Sequence, residues 1–440
     1  FDVRGRTKKI THTMRERLPR EVFQLLADVG RTAQDMNMGA FAVGGFVRDL
    51  LLHQVNLDID VVIEGDAVEF AGRFVAEHQD VRMRAHEKFN TAVLIFESGL
   101  KIDVTTARIE YYEHPGALPV VEQGSIRLDL YRRDFTINTL AVALNPRNFG
   151  MVIDYFRGLK DLKEGYIRVL HNLSFVEDPT RVFRAVRFEQ RFGFKIGKLT
   201  AGLIQNAVKH DFFRKLSGKR LGQEIRLILR EEDPYPAVAR MAELDLLKFI
   251  HPNLKNRQGL NELFRRINKV RDWFRLTYID ENMEPVTLYL WAMVEEMSPP
   301  EIEAVCQRLR LFKRERYILL TEKNWAEKAL WRMSRQDELR PSEVYGMLSI
   351  LDTESILYIM AKTNREKVRK AVSHYFTVLR HVKPEVTGTD LIEMGYQPGP
   401  RFSRILDRLR DARLDGEAKN RADELEMLQR LFPLDAEPED

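Results

Sequence analysis

Apolar residues near the start of the chain recur at helical spacing. Leu18, Val22, Leu25, Leu26 and Val29 fall on one stripe and predict a helix over 17–38. After Gly39 the period shortens. Apolar, β-branched runs at 41–43, 57–63, 92–96 and 100–105, most of them bounded by Gly, Asn or charged residues, predict strands. Helical spacing returns at 47–52 and 68–78, so a mixed α/β domain is expected to end near Gly165. Beyond 175 strand signals all but vanish. Amphipathic stretches follow, cut at Pro234, Pro252, Pro285, Pro299, Pro300, Pro341, Pro384 and Pro398, which predict turns between helices. No fixed-period repeat is present. The expected layout is a small α/β head followed by a long all-α remainder.

Composition narrows the class. The 440 residues suffice for about three domains, and 31% charged against 44% hydrophobic is an ordinary globular balance. A single cysteine, Cys306, excludes an intramolecular disulfide and a Cys-rich zinc site and fits a reducing, cytoplasmic setting. No apolar run approaches the roughly 18 residues of a membrane span. The basic start (Arg4, Arg6, Lys8, Lys9) lacks the apolar core of a secretory signal. It also lacks an initiator Met, as a piece of a longer polypeptide would. The net charge of +4 conceals a local excess: residues 178–230 hold thirteen Lys and Arg against four acids, leaving a net −5 elsewhere. Such concentration is the electrostatic footprint of a phosphate-binding surface; a solvated helix face is the plainer alternative.

Four segments carry candidate chemistry. On a strand over 57–63, Leu57, Ile59 and Val61 would face the core while Asp58 and Asp60 share the other face, roughly 6–7 Å apart. Two such carboxylates suit a hard cation such as Mg²⁺, and Asp103, on a neighbouring run, is a third candidate. Upstream, Phe41-Ala42-Val43-Gly44-Gly45-Phe46-Val47-Arg48-Asp49 reads as strand, Gly-Gly turn and helix start, where backbone N–H groups can approach phosphate. In 174–188, Ser174 with Glu177 matches a capping box and Asp178-Pro179 an N-cap with Pro at N1; either marks a helix start. Along that helix Arg181, Arg184, Arg187 and Arg191 share a face without matching acids, and an anionic partner is the simplest relief. Arg132-Arg133-Asp134-Phe135-Thr136-Ile137-Asn138 is a further polar cluster, read equally well as a phosphate clamp or as a structural Arg–Asp pair.

Taken together, Gly44-Gly45-x-x-Arg48-Asp49, Asp58-x-Asp60, Arg132-Arg133-Asp134-Phe135-Thr136-Ile137-Asn138 and Glu177-Asp178-x-x-Arg181 resemble class II tRNA nucleotidyltransferases and the related bacterial poly(A) polymerases. Asp154-x-x-x-Gly158-x-x-Asp161-Leu162 resembles the family's hinge between head and neck. Val386-Thr387-Gly388-Thr389-Asp390-Leu391, with Pro398-Gly399-Pro400 after it, resembles its tail. The resemblance implies an N-terminal segment and helix (1–38), a DNA polymerase beta-like nucleotidyltransferase head with a mixed sheet (39–165), and a helical neck (166–255), body (256–380) and tail (381–440). It also implies that Asp58, Asp60 and Asp103 serve catalysis by holding two Mg²⁺ ions. Gly44, Gly45 and Arg48 would hold the triphosphate, and Arg132, Arg133, Asp134 and Asn138 the ribose and nearby phosphates. Asp178 and Arg181 would read the base, with Arg184 and Arg187 near phosphate. Cytosine and adenine each present an amino donor beside a ring-nitrogen acceptor, so an accepting Asp178 and a donating Arg181 complement C and A and oppose U and G.

The segment Tyr111-Tyr112-Glu113-His114-Pro115-Gly116-Ala117-Leu118-Pro119-Val120-Val121-Glu122 matches the family's flexible loop in position, and its wording resembles A-adding members. The expectation is transfer of one A from ATP to a tRNA ending in CC, with complete CCA addition from CTP and ATP as the alternative and CC addition after it. Poly(A) polymerase is a competing enzyme reading, opposed by the His86-Glu87-Lys88-Phe89-Asn90-Thr91-Ala92 wording, which is closer to the tRNA enzymes. A non-catalytic helical RNA-binding module is the reading from another class, opposed by the intact Asp58 and Asp60. In the tail, residues 401–413 hold five Arg and two Asp; Arg401, Arg404 and Arg408 are candidate contacts to tRNA backbone, with acceptor stem and elbow as the partner surfaces and no membrane.

Overall fold

The computed structural model describes residues 8–111, 120–278, 282–336 and 338–434. The chain divides into two compact units, Phe1–Ile225 with Glu243–Phe249, and Arg226–Ala242 with Ile250–Asp440.

The described residues of the first unit hold twelve strands: β1 Lys8–Lys9, β2 Gly39–Val43, β3 Ile59–Glu64, β4 Val81–His86, β5 Thr91–Phe96, β6 Lys101–Thr106, β7 Arg108–Tyr111, β8 Val120–Gln123, β9 Ala141–Ala143, β10 Met151–Ile153, and the two-residue parallel pair β11 Tyr166–Ile167 and β12 Lys195–Ile196. Eight form a mixed sheet in the order β1-β10-β9-β2-β3-β6-β5-β4, and β7 and β8 form a separate hairpin. In the mixed sheet β3 and β6 run parallel, and the other neighbours antiparallel. Both faces are covered. Phe41, Val43, Val62, Ile126, Leu130 and Ile153 fill one buried cluster. The helices Arg20–Asp35 and Ala67–Glu77 bury Leu26, Val29, Phe70 and Phe74.

Register explains the site. Val43 pairs with Asp60 and with Ala141, and Asp60 pairs with Asp103. The Gly-Gly turn, the carboxylates and the residues before β9 therefore gather at one end of the sheet. One expectation is corrected here. The strand begins at Ile59, and Leu57, expected in the core, is 40% exposed. Asn56 Oδ1 accepts the Asp58 N–H at 2.9 Å, so a local turn takes the bond a ladder would have used.

After the sheet come the helices Thr180–Phe192, Lys198–Lys209 and Gly218–Leu229. The Ser174/Glu177 capping box is also corrected. Ser174–Glu177 is a separate single turn with no side-chain cap, and the arginine helix starts at Thr180 beside Asp178-Pro179.

The second unit is helical among its described residues. Prolines begin the helices Pro285–Val294, Pro299–Arg308, Pro341–Leu348 and Pro400–Leu414, where a missing N–H costs nothing. The helix Pro285–Val294 is apolar all round and buried from Val286 onward, with Trp291 stacked on Tyr358 at 4.3 Å. Among the described residues no single helix is long and apolar enough to cross a membrane. Towards the C-terminus Val386, Leu391, Ile405, Leu409, Met427 and Leu428 form a separate core, and buried Glu424 accepts the backbone N–H groups of Glu385 and Val386.

Candidate active site

A cleft of about 610 Å³ opens at the end of the sheet in the first unit. It is lined by Gly44, Gly45, Arg48, Asp58, Asp60, Arg132, Arg133, Asp134, Asn138, Asp178, Arg181, Arg184 and Arg187, together with Asp49, Asn56, Phe188 and Arg191. Segments separated by more than a hundred residues thus meet in one place. Asp103 does not line it: the residue is exposed on β6, directly beside Asp60 across the parallel pair. Arg401, Arg404 and Arg408 belong to the second unit.

At the floor, Gly44 adopts φ +69°, and a Cβ built there would lie 2.5 Å from Arg133 Nη1. Only glycine suits both the backbone conformation and the arginine's approach. Arg48 follows in the first turn, buried. Its guanidinium donates to Asp49 at 2.7 Å and Asn138 at 2.6 Å and lies over the Phe192 ring, 4.7 Å from the centroid. Asn56 Nδ2 donates to the other Asp49 oxygen at 2.7 Å, linking the arginine to the turn that carries Asp58.

The carboxylate edge is strongly negative. Burial, together with the charges of Asp58 and Asp103, pushes Asp60 from an ordinary 3.8 up to about 6, against the opposing pull of Arg133. Burial and the Asp58 charge also raise Asp103. Oxygen donors whose negative charge is undercompensated fit a hard divalent cation. Among the described residues no three His, Cys, Asp or Glu side chains converge into a metal cage. An open pair of carboxylates is the arrangement Mg²⁺ favours when waters and substrate phosphates complete its shell.

Arginines line the same cleft, Arg133 close beside Asp60. Arg132 and Arg133 both bind Asp129, at 2.7 and 3.1 Å. Burial would raise that carboxyl, but the charges and hydrogen bonds of the two arginines outweigh it and lower its pKa. Asp134 spends its acceptors on four donors: the Phe135 N–H and Asn138 Nδ2 on one oxygen, Arg184 Nε and Nη2 on the other, all at 2.7–2.8 Å. Burial is again outweighed, by the Arg184 charge, the Asn138 and Arg184 hydrogen bonds and the Arg181 charge, and Asp134 falls to about 2. Asp134 therefore orients Arg184 and Asn138, with no acceptor left over for a ribose hydroxyl.

The expectation of a cation row without acids is corrected for Arg181 and Arg184. Arg184 is held by Asp134 and, at 3.6 Å, Glu224; Arg181, only 4% exposed, is held by Ser174 Oγ at 2.8 Å and the Arg132 carbonyl at 2.7 Å. The acids at Arg184 come from other elements, so proximity in sequence could not reveal them, whereas Glu177, 3.7 Å from Arg181, lies only four residues before it. Asp178, beside Arg181, accepts from the Thr180 N–H and hydroxyl on one oxygen and from Arg220 on the other. Sequence reading passed over Asp129, Asn56, Arg220 and Glu224. Only Asp129 had a visible signal, its spacing of three and four residues from Arg132 and Arg133 on a helix.

Comparison with known proteins places this geometry. The sequence pattern described as "Poly A polymerase head domain" matches residues 40–168, and that described as "Probable RNA and SrmB- binding site of polymerase A" matches 193–257. An "A-adding tRNA nucleotidyltransferase" of Halalkalibacterium halodurans is 31% identical over 433 residues, with 95% of each chain covered. The chain belongs to the tRNA nucleotidyltransferase family. A Geobacter sulfurreducens family member, also named "A-adding tRNA nucleotidyltransferase", is 47% identical over 97% of this chain; the chain spans 49% of that relative's length. Among solved tRNA nucleotidyltransferase structures, a CCA-adding enzyme in apo form superposes with a TM-score of 0.80 at 34% identity, covering 96% of this chain and 99% of that one. A Thermotoga maritima CCA-adding enzyme complexed with tRNA gives 0.74 at 33% identity, covering 96% and 98%. The α/β head followed by helices is thus the family's fold, and the family is one of enzymes.

Proposed function

We propose that this chain transfers the adenylyl group of ATP to the 3′-hydroxyl of a tRNA ending in CC, releasing pyrophosphate and stopping after one addition. One observation carries the reaction type: a single cleft brings two carboxylates, Asp58 and Asp60, together with anchored arginines. The A-only specificity is supported by the relative at 47% identity, named A-adding, which stands above the 25–34% of the relatives and solved structures named CCA-adding. The wording of 115–122 supports it too, although residues 112–119 lie outside the described residues.

In this reading Asp58 and Asp60 hold Mg²⁺, with Asp103 beside them as third carboxylate. Such a cation would lower the pKa of the attacking hydroxyl and neutralise charge on the phosphates. The Gly44-Gly45 turn, Arg48 and Arg133 receive the triphosphate, and Arg184 and Arg187 extend that surface. The hydroxyl oxygen bonds to the α-phosphorus, the bond to pyrophosphate breaks, and the hydroxyl proton leaves to solvent. Asp178 accepts the adenine amino group and Arg181 donates to the ring nitrogen; a wrong base leaves buried polar groups unpaired, which can discriminate by about 10⁴. The second unit holds the tRNA, with Arg401, Arg404 and Arg408 as backbone contacts.

Two incorporations test this. Labelled ATP should extend tRNA ending in CC by one nucleotide, and labelled CTP should not extend tRNA lacking CC. Incorporation of both nucleotides would establish complete CCA addition instead, and a long A tail would establish a poly(A) polymerase.

A further inference from the structure

The base-reading carboxylate is itself held by a helix. Gly218–Leu229 carries Arg220 and Glu224 four residues apart, on one face. Arg220 donates to Asp178 Oδ2 at 2.7 Å, and Glu224 lies 3.6 Å from Arg184. Charges are therefore reversed across the contact, cation on acid and acid on cation.

An ionised carboxylate has about four acceptor sites. On Asp178, Oδ1 takes two donors, the Thr180 N–H at 3.0 Å and hydroxyl at 2.6 Å. Arg220 takes one site of Oδ2. The remaining Oδ2 site is the one available to a base. We propose that Arg220 is a positioning residue for base selection: it sets the rotation of the Asp178 carboxylate so that one defined acceptor meets the amino group of adenine. This rests on Asp178 and Arg181 reading the base. Thr180 alone anchors a single oxygen and leaves the other free to swing; with Arg220 both are fixed. The consequence falls on selectivity, because a carboxylate that can turn away from a carbonyl-bearing base no longer opposes it.

The test compares wild type with Arg220→Met and Arg220→Lys, measuring kcat/KM for ATP, GTP and UTP on tRNA ending in CC, with tRNA binding and thermal melting alongside. Arg220→Met should lower kcat/KM for ATP about 100-fold, the scale of a misplaced contact, and reduce the ATP preference over GTP and UTP at least about 10-fold. Arg220→Lys, which keeps a cation on Asp178, should recover most of that preference. Should the Met variant fail to fold, the Lys variant still has to show a measurable loss of preference, and wild-type preference in it overturns the proposal. An unchanged ATP rate in Arg220→Met, or a slower rate with unchanged preference, also overturns it. If wild type adds C as well as A, the A-only reading fails but this inference stands to be tested, since both bases offer the same edge. If wild type shows no preference among bases, the underlying reading of Asp178 and Arg181 fails instead.

Discussion

Two groups of arginines in this molecule look alike in sequence and differ in structure. Arg184 in the cleft has an acid on each side and a pKa raised first of all by Asp134, while Arg181 is buried against Ser174 and a backbone carbonyl. In the tail helix Pro400–Leu414, Arg404 is exposed, Arg401 donates to the Pro433 carbonyl, and Arg408 pairs with Glu417 at the surface. A guanidinium fixed at two or more points presents its remaining N–H groups in one direction, which transition-state binding requires. A surface guanidinium contributes charge and little geometry. On the proposed function, similar runs of Arg prepare one region for chemistry and the other for affinity.

The sharpest way to break this comparison is at the carboxylates that share the cleft with its arginines. Asp58→Ala and Asp60→Ala should each cut ATP incorporation by about 10³-fold or more while tRNA still binds in a filter assay. Next in size is the ion pair between half-buried Arg184 and buried Asp134. Arg184→Met leaves Asp134 without its main partner and should destabilise the fold by about 3–5 kcal/mol, read from urea unfolding. Gly44→Ala should cost about 1–2 kcal/mol through its left-handed backbone, and raise the KM for ATP by displacing Arg133. The smallest effect belongs to the tail: Arg404→Glu should weaken tRNA binding about fivefold and flatten its salt dependence by about one unit of slope.

Protons sharpen the same contrast. With a pKa of about 6, Asp60 is mostly ionised at pH 7 and mostly protonated at pH 5, so proton and cation compete. At limiting Mg²⁺, ATP incorporation should fall from pH 7 to 5 and recover with added Mg²⁺. Without a cation, Asp60 ionises earlier unfolded than folded, so its contribution to stability is present below pH 3.8 and lost as pH rises through 6. Asp134 has the opposite sign: its depressed pKa gives stability present above 3.8 and lost as pH falls through 2. Unfolding midpoints across pH 2–7 check both directions.

Much of the head was legible in the chain. Alternation and glycine punctuation placed four of its strands, and the Gly44-Gly45, Asp58-x-Asp60 and Glu177-Asp178-x-x-Arg181 segments located most of the cleft. Local pattern could not show that Asn56 ends the strand before Asp58, because an Asx turn competes with the ladder through a single side chain. β1 was hidden in two lysines, Lys8 and Lys9, whose pairing with β10 depends on chain more than 140 residues away. Asp134–Arg184 and Asp178–Arg220 are likewise pairings across 50 and 42 residues, set by the packing of helices and invisible to periodicity.

The most direct test measures two quantities, the single-turnover rate of ATP addition and the Kd for tRNA ending in CC, in wild type, Asp60→Asn and Arg404→Glu. The account predicts that Asp60→Asn loses about 10³-fold or more in rate with tRNA affinity unchanged, whereas Arg404→Glu loses affinity and keeps its rate at saturating tRNA. An Asp60→Asn enzyme that still adds A at the wild-type rate would contradict it.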